Sequence, residues 1–81
     1  MRITVLLFAH LADAFGVRSL SLDLPEGAMA GDVLEALIRR APQAAPFRDR
    51  LAVAVDERYA PADQPLREGA VVAVIPPVSG G

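Results

Sequence analysis

The chain has 81 residues, 53% hydrophobic and 22% charged, with a formal net charge of −2. That is enough for one domain with a single modest core. It has no cysteine, which excludes disulfides, thiolate metal sites and a cysteine nucleophile. Its 8 basic residues are all arginine, so a Schiff-base or P-loop lysine is absent and no lysine side chain can accept an isopeptide bond.

The acidic balance and the lack of a basic stripe argue against a nucleic-acid partner. No apolar run is long enough to span a bilayer, so no membrane partner is expected. The run from Ile3 to Ala9 leads into His10 and Asp13 without a small-residue cleavage site. A signal peptide is not expected, and the cytoplasm is the expected location.

Ile3–Phe8 is short, β-branched and almost wholly apolar, which predicts a central strand buried on both faces. In Ala9–Phe15 the pair Leu11 and Phe15 shares one helical face, and Gly16 supplies a C-terminal stop. Ser19–Leu24 alternates polar and apolar residues, predicting a half-exposed strand with three leucines inward. Pro25-Glu26-Gly27 closes it as a turn.

The main helix is predicted to open at Gly31 or Asp32, with an acidic first turn suited to the helix dipole. Val33, Leu34, Leu37, Ile38 and Ala41 form its apolar stripe, while Glu35, Arg39 and Arg40 face water. Pro42 and Pro46 end it. Residues 42–50 read as a surface connection with Phe47 as an anchor. Leu51–Val55 is a third strand, Asp56-Glu57-Arg58 a polar turn, and Tyr59 with Ala60 a brief further pairing. Pro61 and Pro65 break up the next loop, and Arg67-Glu68-Gly69 turns the chain into a last strand, residues 70–75.

The order is therefore two strands, a helix, a strand, a short strand and a final strand, without an internal repeat or linker. Burying the apolar first and last strands side by side makes them parallel and central in a mixed sheet, with the helix across one face. This is an α+β fold, the ubiquitin-like β-grasp. Residues 1–75 form that domain and 76–81 a flexible tail ending in Gly-Gly.

Chemistry is sparse along the folded part. His10 is the sole histidine, which excludes a multi-histidine metal site, and with Asp13 at helical spacing it reads as a solvated helix face. Adjacent Asp56 and Glu57 sit in a turn where their carboxylates point apart. Ser19, Ser21 and Ser79 have no nearby base to activate them, and no metal site or nucleotide-binding motif is present. Phe8, Tyr59, Ile75 and Val78 fall near the neighbouring ends of the first and last strands, where an apolar patch would make a docking surface.

The tail holds the one remaining reactive group. Pro76 and Pro77 fix φ and remove two amide donors, stopping the strand. Val78 and Ser79 then lead to Gly80 and Gly81, which carry no Cβ to block a close approach. Six extended residues reach about 20 Å. A carboxylate at Gly81 becomes reactive once attack on the α-phosphate of ATP gives an acyl-adenylate, which a sulfur donor converts to a thiocarboxylate. In that chemistry the chain is substrate and carrier, threaded through a narrow channel of its partner.

The segments Leu7-Phe8-Ala9-His10-Leu11-Ala12-Asp13 and Leu66–Val72, with the ending Pro76-Pro77-Val78-Ser79-Gly80-Gly81, resemble the small-subunit family of molybdopterin synthase, the MoaD sulfur carriers. The resemblance covers the whole length, and the double proline ahead of Ser-Gly-Gly is its most specific feature. It implies adenylation of Gly81 by an E1-like adenylyltransferase, MoeB, and sulfur transfer from a donor protein. The tail would then insert into the large subunit, MoaE, and donate sulfur to cyclic pyranopterin monophosphate to build the molybdopterin dithiolene.

By the same resemblance Gly81 is the carrier residue, and Gly80, Ser79, Val78, Pro77 and Pro76 thread the channel. Phe8, Tyr59 and Ile75 become candidate partner contacts. No cofactor is bound, ATP being used by the activating partner. Catalytic groups are expected on the large subunit, in a heterotetramer with it. Ala12 and Ile75 depart from relatives that have a basic and an aromatic residue there. Two alternatives stand beside this reading: a carrier for thiamine thiazole or tRNA thiolation, and a non-covalent β-grasp interaction module.

Overall fold

The computed structural model describes residues 1–76, with His10 by its backbone alone. The elements run β1 (Arg2–Leu7), α1 (Ala9–Phe15), β2 (Ser19–Asp23), α2 (Ala30–Arg40), a 3₁₀ segment (Pro42–Arg50), β3 (Ala52–Val55), β4 (Arg58–Ala60) and β5 (Val71–Ile75). The five strands form one mixed sheet in the order β2-β1-β5-β3-β4. β1 lies parallel to β5, with Thr4–Leu7 opposite Val71–Val74. The remaining pairs are antiparallel. The expected parallel, central pairing of first and last strands is what the chain forms.

Side-chain alternation divides the sheet into two faces. Ile3, Val5 and Leu7 of β1 and Val72 and Val74 of β5 point into the core, joined by Leu22 and Val53. From α2 they meet Ala30, Val33 and Leu37, so this helix covers one face. Ile3, Val5, Val33, Val72 and Val74 are sealed from solvent, each contributing about 2 kcal/mol by burial. The opposite residues of β1 and β5 are only partly covered or exposed. The predicted two-sided burial is therefore corrected: only one layer of helix exists among the described residues, and it lies on one side.

Local physics explains most boundaries. Gly16 ends α1 at φ 75°, its N–H donating to Ala12 O at 2.9 Å, a left-handed stop that glycine adopts without steric cost. α2 begins slightly earlier than predicted, because the Asp32 carboxylate accepts the Met29 N–H at 2.7 Å and caps the first turn. The next free donors, Ala30 N–H and Gly31 N–H, reach Gln64 O and Ala62 O at 2.8 Å each. The loop after β4 is thus pinned to the helix start. Gly31 permits this approach, since a Cβ there would lie 3.1 Å from Ala62 Cβ.

Residues 42–50 are regular rather than irregular: 9 residues of 3₁₀ helix with Pro42 in the first turn. Arg48 in this segment pairs with Glu35 of α2, so Glu35 is engaged rather than simply solvated. The turn joining β3 to β4 has two residues, Asp56 and Glu57, at φ 48° and 74°. Arg58 already belongs to β4. Among the described residues no helix is long and apolar enough to cross a membrane.

Candidate functional site

The place where the tail begins is held by its neighbours on both sides. β5 runs between β1 and β3, with Val74 opposite Leu7 on one side and Ile75 opposite Ala52 on the other. At its other end, Asp56 Oδ1 accepts the Val71 N–H at 3.0 Å and the Asp56 N–H donates to Val71 O at 2.8 Å. The last strand is therefore clamped at its start and paired to its final residue. Pro76 follows, half-buried, beside an apolar cavity of about 210 Å³ lined by Leu11 and Ala14 of α1 and by Ala44, Phe47 and Leu51. Phe47 borders this cavity while half-exposed, so it anchors the connection only in part.

The uncovered face of the sheet carries an apolar field around that root. Pairing across the sheet aligns Tyr59 with Ala54, Ala54 with Ala73, and Ala73 with Leu6. One row further along, Ile75 lies opposite Ala52. Continuing the parallel register by one residue sets Phe8 beside Ile75, because Phe8 retains extended dihedrals of φ −125° and ψ 153°. Phe8 and Ile75 are therefore immediate neighbours on this face. Tyr59 shares the face but stands two strands from Ile75, about 10 Å away across the sheet. Tyr59 is 75% exposed and Phe8 48%.

Phe8 is also out of keeping with its local role. It is the N-cap of α1, where serine, threonine, aspartate or asparagine would satisfy a free amide. No side-chain cap bond is made there. Helix formation does not explain an exposed phenylalanine at that point. Leu6, Val71 and Ala73 extend the same field and escaped the sequence reading, which treated both strands as wholly internal. Their signal was parity: residues 4, 6 and 8 share one face of β1, as 71, 73 and 75 do in β5. Pro77, Val78, Ser79, Gly80 and Gly81, named above as threading and carrier residues, lie outside the described residues. Among the described residues no group of His, Cys, Asp and Glu has the geometry to hold a metal ion.

A mixed sheet with parallel central strands and one helix across one face is the ubiquitin-like β-grasp class. Comparison with known proteins then narrows the class. Residues 5–81 match the ThiS family, and the chain belongs to that family. It is similar to the molybdopterin synthase sulfur carrier subunit of Arabidopsis thaliana, 32% identical over 81 residues, covering 100% of this chain and 84% of the relative. The protein of the same name from Homo sapiens is 36% identical over 83 residues, covering 99% and 94%. Among solved structures, SAMP1 from Haloferax volcanii, a small archaeal modifier protein, superposes with a TM-score of 0.86 at 29% identity over 100% of both chains.

Proposed function

We propose that this chain is the sulfur carrier subunit of a molybdopterin synthase, working in the cytoplasm with Gly81 as its reactive end. The observation that carries the reading is the full-length similarity to sulfur carrier subunits of that enzyme, at 32% and 36% identity. The apolar field beside the fixed tail root supports it. A carrier needs a surface that positions its terminus in a partner, and the exposed apolar field of Phe8 and Tyr59 offers one.

In this reading an E1-like adenylyltransferase binds ATP and the tail. A Gly81 carboxylate oxygen attacks the α-phosphorus and pyrophosphate leaves, giving an acyl-adenylate. A donor protein supplies sulfur at the sulfide level, which displaces AMP and leaves a thiocarboxylate. The tail then enters the large subunit. There the thiocarboxylate sulfur bonds to a carbon of cyclic pyranopterin monophosphate as a C–O bond breaks, and water hydrolyses the resulting thioester. This leaves sulfur on the pterin and returns the Gly81 carboxylate. Residues 1–75 act as the handle and 76–81 as the flexible arm, with Gly80 and Ser79 in the narrowest part of the channel. Phe8, Ile75 and Tyr59 contact both partners, and the assembly with the large subunit is a heterotetramer.

The test is the intact mass of the untagged chain after incubation with the adenylyltransferase, ATP and a sulfur source. Replacement of one oxygen by sulfur is expected, and its absence beside a carrier that is modified in parallel overturns the reading. Deleting Gly81 is expected to abolish the change while leaving the circular-dichroism spectrum intact. The likeness to an archaeal modifier protein favours one second reading, in which the activated Gly81 joins lysines of other proteins. That reading predicts higher-mass conjugates in a cell extract in place of a thiocarboxylate.

A further inference from the structure

The two edges of the sheet are built differently. β4 has 3 residues, includes Arg58 and is followed directly by Pro61, so it offers little to a further strand. β2 has 5 residues with neither proline nor lysine. Its ladder to β1 uses the even-numbered positions: Leu24 N–H donates to Met1 O at 2.8 Å, the Met1 amino group to Leu24 O at 2.6 Å, and Leu7 N–H to Arg18 O at 2.8 Å. Antiparallel pairing alternates, so the N–H and C=O groups of Ser19, Ser21 and Asp23 face away from the sheet. No backbone hydrogen bond outside the ladder uses their N–H groups among the described residues.

Beside this edge runs a groove of about 640 Å³ between β2 and α2. Its floor includes Leu22, Leu24 and Ala36, and its rim carries Arg39 and Arg40. The acids nearby are already occupied. Asp23 pairs with Arg2 at 3.4 Å, and Asp32 caps Met29. Arg39 and Arg40 are exposed and enter no ion pair among the described residues. Asp32 keeps its negative charge while capping, but Arg2 offsets Asp23, so Arg39 and Arg40 leave the groove with a small net positive charge.

We propose that the β2 edge and this groove form a docking site for an extended peptide segment of a partner protein, apolar at alternate positions and acidic at one end. The segment adds to the sheet as a sixth strand, its backbone pairing with Ser19, Ser21 and Asp23. Strand pleat sends every second side chain toward α2, onto Leu22, Leu24 and Ala36. Its acids meet Arg39 and Arg40. The site lies on the far side of β1 from the tail root and does not depend on sulfur chemistry, so a partner could hold it while the tail is engaged elsewhere.

The probe is a fluorescein-labelled peptide of alternating valine and serine ending in a run of aspartates, titrated into the full chain. Saturable binding is expected, with NMR shifts and slowed exchange at the amides of Ser19, Ser21 and Asp23. Arg39→Glu combined with Arg40→Glu, both surface changes, should weaken binding by about tenfold. Ser21→Pro should weaken it further, because it removes an outward N–H without taking a bond from the β1 ladder. Its melting temperature checks that the fold survives. Replacing the aspartates by arginines should abolish binding. The proposal is overturned by shifts confined to the face of Phe8 and Ile75, or by no binding. It is equally overturned if the chain dimerises through the same amides without peptide, which would make a second copy the occupant.

Discussion

The two faces of the sheet are made from the same kinds of residue and do opposite work. On the helix side, Val5, Leu7, Val72 and Val74 are closed in by α2. On the other side, Leu6, Phe8, Val71 and Ile75 alternate with them along the same strands and are not covered by α2. Apolar content alone therefore does not mark a core. The covering layer decides which half of a hydrophobic strand stabilises the domain and which half is available to a partner.

The strongest way to break this distinction is to charge each face in turn. Val74→Asp buries a carboxylate with no partner at a sealed position. It should cost more than about 4 kcal/mol, seen as loss of the cooperative thermal transition. Gly31→Val tests the helix layer itself, by forcing a side chain against Ala62 at the start of α2. It should cost about 2 kcal/mol in a denaturant titration. Phe8→Asp should do the reverse of a core change. Aspartate is a good N-cap for α1, so stability should rise by up to about 1 kcal/mol, while on the proposed function affinity for the proposed large-subunit partner should fall at least tenfold, roughly 1.4 kcal/mol. A fall in both would show that Phe8 belongs to the core after all.

The smallest expected effect lies on neither face. Asp56 and Glu57 both adopt positive φ, a conformation that is strained for residues with a Cβ. Glu57→Gly should raise stability by about 0.5–1 kcal/mol in thermal melts, as the turn loses that strain. Asp56 is a poorer choice for such relief, since its carboxylate also holds Val71.

Much of this architecture is legible in the sequence because its signals are local. The 3.6-residue stripe of α2, the alternation of Ser19–Leu24 and the glycine after Phe15 each point to one element. The apolar runs at Ile3–Phe8 and 70–75 identify strands but not their sides, because a pattern without polar residues has no phase. The 3₁₀ segment escapes notice for a related reason: Pro42 and Pro46 announce a break, while its order comes from packing and from the Arg48–Glu35 pair. The positive-φ turn is hidden because neither Asp56 nor Glu57 is a glycine. At the site, Phe8, Tyr59 and Ile75 are recognisable as apolar residues near strand ends. Their shared face, and the distance of Tyr59 from the other two, follow only from register.

β5 has one further consequence, for how the molecule is completed. Without Val71–Ile75 the sheet separates into two hairpins, β2-β1 and β3-β4, that have no strand in common. An isolated hairpin is marginal in water, so neither half can wait as a finished piece. The keystone is the last of the five strands in chain order, and residues 76–81 follow directly behind it. A chain cut short before residue 71 has no domain to recognise, because the sheet closes only once β5 joins its two hairpins.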